Sequence, residues 1–301
     1  MCRPPRRAIG GAVRFKAFPP ATLRNVPELP EVETVRRALV PALEGTRVIH
    51  VEVRHPRLAR RNEQPADVGD RLIGRVIHRV GRRGKFLLVD VEGDLTWVTH
   101  LGMSGRIELA YPGELEKPHT HVVVGTDRGQ EMRMVDPRTF GFMAVYTPEE
   151  LARSTIADLG PDALHDLPPT SVWAQRLAGR KVAIKTLLLD QRLVAGLGNI
   201  YADEVLHRAG IRPHRRAGSL TREEVNRLRT AVRLVLRAGL RWGGTSLGDL
   251  AYLLPDGRAG GYLDRLRAYG REGLPCRRDG APIERTVIGG RSSFWCPQCQ
   301  Q

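Results

Sequence analysis

The stretch Pro27-Glu28-Leu29-Pro30-Glu31-Val32-Glu33-Thr34 sets the start of the fold. Pro30 favours the first turn of a helix, because its missing N–H would be unpaired there anyway and its φ already suits helical geometry. Glu31 and Glu33 then lie near the positive end of the helix dipole. The apolar residues that follow recur at helical spacing, namely Val32, Val35, Leu39 and Leu43. The sequence therefore predicts an amphipathic helix after Pro30.

Pro27 is a candidate nucleophile. If translation began at Val26, read as an initiator methionine that is later removed, Pro27 would carry a free secondary amine. The pKa of an α-amino group is about 7.7 to 8.0, so a neutral, nucleophilic fraction exists near pH 7. Attack of such an amine on a sugar C1′ gives a cationic iminium that promotes elimination, with Glu28 as the adjacent acid–base partner. The alternative is that Pro27 and Pro30 only shape the loop before the helix.

The charge of the chain indicates a polyanionic partner. Its 301 residues are enough for two domains, and 48 Lys and Arg against 33 Asp and Glu give a net charge of +15 and a pI near 10.6. Residues 1–26 contain five Arg, one Lys and no acidic residue, so a chain beginning at Pro27 keeps a charge of +9. We interpret residues 1–26 as a misassigned start or a disordered leader. Composition alone does not separate a nucleic-acid enzyme from a basic structural binder.

The sequence contains no segment that resembles a transmembrane span, and its N-terminal stretch lacks the apolar run of a secretory signal. We therefore expect a cytoplasmic location, with association to the nucleoid when the protein is bound to DNA. Four cysteines in a long chain without a secretion signal favour metal ligands over a disulfide framework.

Short β-prone runs follow the first helix and are separated by turn residues. The predicted strands cover residues 47–54, 71–80, 85–91, 95–101, 105–109, 121–126, 131–135 and 142–146. Eight short strands at this spacing favour an antiparallel sandwich or barrel. After a boundary within residues 155–169 the pattern becomes helical. The predicted helices cover residues 172–177, 184–190, 200–209 and 222–240.

The string VPELPEVETVRRAL resembles the start of the formamidopyrimidine-DNA glycosylases, bacterial repair enzymes for oxidised purines. The resemblance continues to the C-terminus through several motifs in the family's order. It implies a multidomain α+β fold, in which an antiparallel β-sandwich with an N-terminal helix precedes a helix-two-turns-helix domain and a zinc-finger β-hairpin. We place the catalytic sandwich at residues 27–157, the helix-two-turns-helix DNA-binding domain at 158–262 and the zinc-finger hairpin at 263–301.

The C-terminal cysteines depart from the family's four-cysteine zinc pattern. The chain has Cys276-x2-Asp279, sixteen residues, and then Cys296-x2-Cys299, so that Asp279 stands in the place of a cysteine. The fourth cysteine, Cys2, lies in the leader. A carboxylate oxygen also binds zinc, at roughly 2.0 to 2.2 Å, so we predict one structural Zn²⁺ held by three thiolates and Asp279. The alternative is a metal-free hairpin in which Asp279 is a turn residue.

The resemblance also assigns contacts to DNA. Lys85 in GRRGKFLLVDV matches the family lysine that contacts the phosphate and sugar beside the lesion, although its local sequence favours a solvated strand end. His100 and Arg291 match further phosphate contacts, and a guanidinium fork suits that task. Asn199 in VAGLGNIYADEVL is predicted to cap the following helix and to bind phosphate there. Arg258, in the flexible DGRAGG segment, is a candidate base-pocket contact or a solvated side chain.

Met103 lies between two glycines in the turn HLGMSG. Since turns lie at the surface, a methionine there suggests an exposed apolar wedge that needs a partner. The resemblance assigns Met103, Arg138 and Phe140 to the space that an extruded nucleotide leaves in the duplex.

Together these motifs predict a monomeric, bifunctional DNA glycosylase and abasic-site lyase. The resemblance implies a substrate of double-stranded DNA containing 8-oxoguanine, formamidopyrimidines or abasic sites, cleaved by β- and δ-elimination. Pro27, Glu28 and Lys85 are the predicted catalytic residues. One alternative is the related endonuclease VIII type, which removes oxidised pyrimidines and whose N-terminus resembles PEGPE. Another is a noncatalytic binder of damaged DNA, if Pro27 is not the N-terminus.

Overall fold

The computed structural model describes residues 27–246 and 252–301, so the predicted leader, residues 1–26, lies outside the described residues. The N-terminal elements are α1 (Leu29–Leu43), β1 (Val48–Val53), α2 (Asp67–Leu72), β2 (Ile77–Arg83), β3 (Phe86–Val91), β4 (Leu95–His100), β5 (Arg106–Ala110), β6 (Thr120–Thr126), β7 (Glu131–Val135), β8 (Phe142–Tyr146) and α3 (Pro148–Ala152). The C-terminal elements are α4 (Thr170–Leu177), α5 (Ile184–Leu188), α6 (Asn199–Ala209), α7 (Arg222–Arg241), β9 (Glu284–Ile288) and β10 (Arg291–Trp295).

The N-terminal strands form two antiparallel sheets, in the orders β1-β6-β7-β5 and β2-β3-β4-β8. Apolar side chains from both sheets meet in one core, to which α1 contributes Val32, Val35, Leu39 and Leu43. The predicted β-sandwich with its N-terminal helix is confirmed. Because α1 also contacts α7, the first helix joins the sandwich to the helical part of the chain.

The predicted strand at residues 71–80 is wrong in its first half. Residues 71 and 72 end helix α2, and strand β2 begins only at Ile77. Val68 and Leu72 are four residues apart and both buried, which is the spacing of one helix face. Asp67 and Asp70 lie near the N-terminus of that helix, where the dipole favours negative charge. The other seven predicted strands each overlap an observed strand.

The helical part is organised around α6 and α7. Thr221 caps α7 by accepting a hydrogen bond from the Glu224 backbone N–H, while the Glu224 carboxylate accepts one from the Thr221 N–H. The predicted buried face of α7 is confirmed and consists of Val225, Leu228, Val232, Val235 and Leu236. Helix α5 is shorter than predicted and ends at Leu188. No helix in the described ranges is both long and apolar enough to cross a membrane.

Strands β9 and β10 form the C-terminal hairpin. The side chains of Cys276, Ile283, Phe294 and Cys296 are buried in the same core as those of α6 and α7. The zinc-finger segment therefore packs directly on the helical domain, with β10 against α6.

Candidate active site and nucleic-acid interface

The carboxylate of Glu28 lies at the N-terminus of α6, 170 residues further along the chain. Its oxygens accept hydrogen bonds from the backbone N–H groups of Gly198 at 2.6 Å, Ile200 at 2.9 Å and Tyr201 at 3.3 Å. Burial raises the pKa of Glu28 above its ordinary value, while Lys85 and these N–H groups act in the opposite direction. A buried carboxyl of this kind retains its proton to higher pH and can act as a general acid.

Gly198 leaves room for the Glu28 carboxylate to approach the N-terminus of α6. A Cβ atom at Gly198 would lie 2.3 Å from Cδ of Glu28 and 2.6 Å from Nζ of Lys85. Its φ of −127° is open to any residue, so close approach is what requires glycine here.

The prediction that Asn199 caps α6 is wrong. Asn199 is the first residue of the helix, and Gly198, which has no side chain, occupies the cap position. The carboxylate of Glu28 accepts the first N–H groups instead. The side chain of Asn199 is thereby left to turn toward the hairpin, where Nδ2 donates to the carbonyl oxygen of Ser292 at 3.1 Å.

Lys85 is held at the end of the β2–β3 turn by a buried ionic group. The guanidinium of Arg82 pairs with Glu33 at 3.1 Å and with Asp162 at 2.6 Å, and all three side chains are almost completely buried. Asp162 also accepts a hydrogen bond from the N–H of Gly84 at 2.8 Å, next to Lys85. Burial lowers the pKa of Lys85, which Glu28 opposes. The local interpretation of Lys85 as a solvated strand end is therefore wrong.

Five predicted site residues line one cavity of about 300 Å³: Glu28, Lys85, His100, Asn199 and Arg291. They come from the sandwich, the helical domain and the hairpin. Four of the five, all except Glu28, offer N–H donors or cationic groups that phosphate oxygens bind. The cavity thus combines a buried acid with a cationic rim.

His100 enters the site as a neutral donor. Its Nδ1 accepts a hydrogen bond from the N–H of Gly102 at 3.0 Å, and its ring lies 4.7 Å from that of Phe86 between centroids. Burial, together with the nearby cations of Lys85 and two arginines, lowers the pKa of His100 to about 4. With Nδ1 used as an acceptor, the ring proton is on Nε2 at pH 7.

Arg291 is positioned through the buried residues Lys185 and Asp203, which sequence reasoning missed. Nζ of Lys185 donates to the carbonyl oxygen of Ser292 at 2.8 Å and pairs with Asp203 at 2.7 Å. Asp203 also accepts a hydrogen bond from the N–H of Phe294 at 2.9 Å. These contacts fix the beginning of β10, where Arg291 lies. The available signal was the lysine inside the otherwise apolar run VAIKTLLL.

Glu31 is a second buried carboxyl that sequence reasoning left without a role. It accepts hydrogen bonds from the hydroxyl of Tyr201 and the N–H of Thr245, both at 2.7 Å, and from the N–H of Glu28 at 3.0 Å. Burial, reinforced by Glu28, raises its pKa to about 7. Glu31 thereby fixes the backbone of Glu28 relative to α6 and to the segment that follows α7.

Met103, Arg138 and Phe140 lie on two adjacent turns that Asp136 joins. The buried Asp136 carboxylate accepts hydrogen bonds from the Ser104 hydroxyl at 2.5 Å and from the N–H of Gly141 at 2.7 Å. Met103 is half-buried, whereas Arg138 and Phe140 are exposed, with the guanidinium 4.7 Å from the ring centroid. The three side chains are thus presented together at the surface, outside the cavity. Asp136 was visible in DPRTFG but had no assigned role.

Arg258 and Pro27 are likewise not among the described residues that line the cavity. Arg258 is exposed and pairs with Asp256 at 2.7 Å. Pro27 is buried and directly precedes Glu28.

Cys276, Asp279, Cys296 and Cys299 form a compact metal-binding group. One ligand atom from each lies within 4.8 Å of the others. The sulfurs of Cys276 and Cys299 are 3.9 Å apart, and an oxygen of Asp279 is 3.3 Å from the Cys296 sulfur. A tetrahedral zinc site with Zn–S bonds of about 2.3 Å places its sulfurs about 3.8 Å apart. The residues present therefore fit a structural Zn²⁺, including the substituted Asp279.

Three family models match the chain. They are the formamidopyrimidine-DNA glycosylase N-terminal domain over residues 26–143, the formamidopyrimidine-DNA glycosylase H2TH domain over residues 159–250, and the zinc finger found in FPG and IleRS over residues 273–301.

Curated relatives match the chain along their full length. The formamidopyrimidine-DNA glycosylase of Gluconobacter oxydans is 44% identical over 281 residues, and that of Geobacillus kaustophilus is 42% identical over 277 residues. Each match covers 92% of this chain and 100% of the relative.

Solved structures agree with these matches. A Lactococcus lactis FPG mutant in complex with Fapy-dG containing DNA has a TM-score of 0.84 at 31% identity, covering 91% of this chain and 100% of that chain. The MutM (Fpg) protein of Thermus thermophilus has a TM-score of 0.82 at 42% identity, covering 91% and 98%. The chain therefore belongs to the formamidopyrimidine-DNA glycosylase family.

Proposed function

We propose that this protein excises oxidised purines from duplex DNA and then cleaves the abasic site, as a monomeric enzyme of base excision repair that works on cytoplasmic DNA. The observation that carries this proposal is the convergence of Glu28, Lys85, His100, Asn199 and Arg291 on one cavity. Solved relatives are bound to DNA that contains Fapy-dG or an abasic site. The net charge of +15 favours association with DNA.

Binding requires the damaged nucleotide to leave the stack. Lys85, Asn199, Arg291 and the neutral His100 hold the phosphates around the cavity, where the extruded sugar then lies. Extrusion costs a few kcal/mol, and apolar side chains inserted into the duplex offset part of this cost. The exposed Phe140 and Arg138, with Met103 on the adjacent turn, are the side chains placed for that insertion.

The covalent step uses the nitrogen of Pro27. The amine lone pair attacks C1′ and the bond between C1′ and the base breaks, so that the base leaves with the bonding electron pair and takes the proton that the attacking N–H releases. Protonated Glu28 gives a proton to the ring oxygen as the sugar opens to an iminium. Water accepts a C2′ proton as the electrons of that C–H bond expel the 3′ phosphate. Loss of a C4′ proton to water then expels the 5′ phosphate in a second elimination.

This chemistry requires Pro27 to be the N-terminal residue of the active form. When Pro27 follows Val26, its nitrogen belongs to a tertiary amide and has no basic lone pair. A start near Pro27 is supported by the match of the family's N-terminal domain, which begins at residue 26, and by the curated relatives, whose full length is covered by 92% of this chain. We therefore propose that the catalytic form begins at Pro27.

Borohydride trapping on an abasic duplex tests this proposal. The chain that begins at Pro27 should give a covalent protein–DNA adduct, whereas the 301-residue chain, with its leader verified by intact mass, should bind without forming one. Equal trapping by both forms would rule out the Pro27 nitrogen. The same result would leave a different amine, such as that of Lys85, to be identified.

The endonuclease VIII alternative is tested by lesion preference. One solved relative, from Lactococcus lactis, is bound to DNA that contains an oxidised pyrimidine, so both lesion classes need to be measured. We expect faster single-turnover excision of 8-oxoguanine than of thymine glycol from matched duplexes. The reverse order would favour the pyrimidine enzyme.

A further inference from the structure

A buried histidine of α6 lies against the zinc site. Nε2 of His207 is 3.3 Å from the sulfur of Cys276 and 3.8 Å from the sulfur of Cys299. His207 is fully buried in the last turn of the helix, and it is not one of the four clustered ligand residues. Neither the motif pattern nor the proposed catalytic steps gives this side chain a role.

The other ring nitrogen decides between a metal ligand and a hydrogen-bond donor. Among the described residues, Nδ1 of His207 has no hydrogen-bond partner. A histidine that binds a metal through one nitrogen almost always donates the N–H of the other to an acceptor. If Nε2 bound zinc, the hydrogen would have to be on Nδ1, where it would be a buried donor without an acceptor, which is costly. The hydrogen is therefore on Nε2, directed at the two sulfurs.

The ligand set needs such a donor. Three thiolates and one carboxylate would leave excess negative charge around a bound divalent ion, in a partly buried place. An N–H group that faces two of the sulfurs stabilises this charge and fixes their orientation.

We propose that His207 is a positioning residue of the zinc site, whose Nε2–H hydrogen-bonds the thiolates of Cys276 and Cys299. This contact attaches the zinc finger to the C-terminal end of α6. The N-terminal end of the same helix binds the Glu28 carboxylate. Asp203 makes a parallel attachment through the N–H of Phe294.

The test is zinc affinity in His207→Phe and His207→Gln, measured by competition with a chromogenic chelator. We expect about 10- to 100-fold weaker zinc binding for the Phe variant, because supporting residues of metal ligands typically have effects of this size. The Gln variant retains an N–H donor at a similar reach and should recover most of the affinity. His207→Leu is a second donor-free variant of smaller volume, and His78→Phe, at an exposed site on β2, is the control.

Cobalt substitution separates a positioning role from a ligand role. The visible absorption bands of bound Co²⁺ should keep their positions in all variants, because the four ligands are unchanged. Unaltered zinc affinity in both the Phe and Leu variants would overturn the proposal. If the cobalt bands of the variants shift to those of a site that has lost a nitrogen ligand, the proposal is overturned as well. Equal loss of zinc affinity in the Gln and Phe variants would also overturn it.

Discussion

Gly198→Ala tests whether the close contact between Glu28 and α6 forms the active site. The backbone at Gly198 has a φ of −127°, so alanine introduces no conformational strain. Its Cβ, however, would lie 2.3 Å from Cδ of Glu28, 2.5 Å from its Oε1 and 2.6 Å from Nζ of Lys85. Either the carboxylate or the start of α6 must move.

The expected loss of stability in Gly198→Ala has two contributions. Overpacking in a tight core costs about 1–3 kcal/mol, and a lost hydrogen bond to a charged group costs about 1.5–3 kcal/mol. We expect the free energy of unfolding to fall by about 2–4 kcal/mol, since part of the strain is relieved when one bond is lost. Single-turnover excision of 8-oxoguanine should fall about 100-fold or more, because a displacement of 1 Å in a catalytic group has effects of this size.

Urea unfolding and excision kinetics measure both quantities. Gly69→Ala is the matched control, since a Cβ there would meet its neighbours at 3.8 Å or more within helix α2. That variant should be as stable as the parent or slightly more so, because alanine favours a helix over glycine. If Gly198→Ala has the parental free energy of unfolding and the parental excision rate, the close contact between Glu28 and α6 is not needed to form the active site.

Three further predictions concern Arg82, Glu31 and Asp279. Arg82→Met should lower the free energy of unfolding by about 3–5 kcal/mol in a denaturant titration, because it leaves the buried Asp162 carboxylate without its cationic partner, although Glu33 keeps Arg36 and Arg37. The exposed Arg79→Met should cost less than about 1 kcal/mol. Glu31 has a pKa raised to about 7, so its contribution to stability is present at low pH and is lost as pH rises from about 4.5 to about 7. Glu31→Gln should flatten the pH dependence of stability in that window, and an unchanged profile would refute this assignment. Asp279→Cys should retain zinc more tightly against a chelator, whereas identical metal content and retention in both proteins would remove Asp279 from the ligand set.

Local sequence patterns predicted the elements well where one face is apolar and the ends carry capping signals. Helix α7 is the clearest example, with its Thr221 cap and its regularly spaced buried residues. Helix α2 was missed because it has only six residues. In so short a segment the spacing of apolar residues does not distinguish a helix from a strand. The family resemblance supplied the site residues that local patterns left ambiguous, such as Lys85.

Long-range contacts could not be predicted from local patterns. Glu28 meets Gly198 across 170 residues, and this contact replaces the side-chain cap expected from Asn199. The supporting pairs of Arg82 and Lys185 were missed for the same reason, since a buried cation is recognisable only once its partners are located. His207 gave no signal in the sequence, because its neighbours are cysteines far along the chain.

The central claim is that the Pro27 nitrogen forms the covalent bond to DNA. Lys85 is the internal rival, because it lines the same cavity and burial lowers its pKa toward a nucleophilic amine. The most direct measurement is peptide mass spectrometry of the adduct trapped by borohydride on an abasic duplex. We predict a deoxyribose fragment on the N-terminal nitrogen of a peptide that begins at Pro27. A fragment on Nζ of Lys85, or on a chain that still carries residues 1–26, would contradict it.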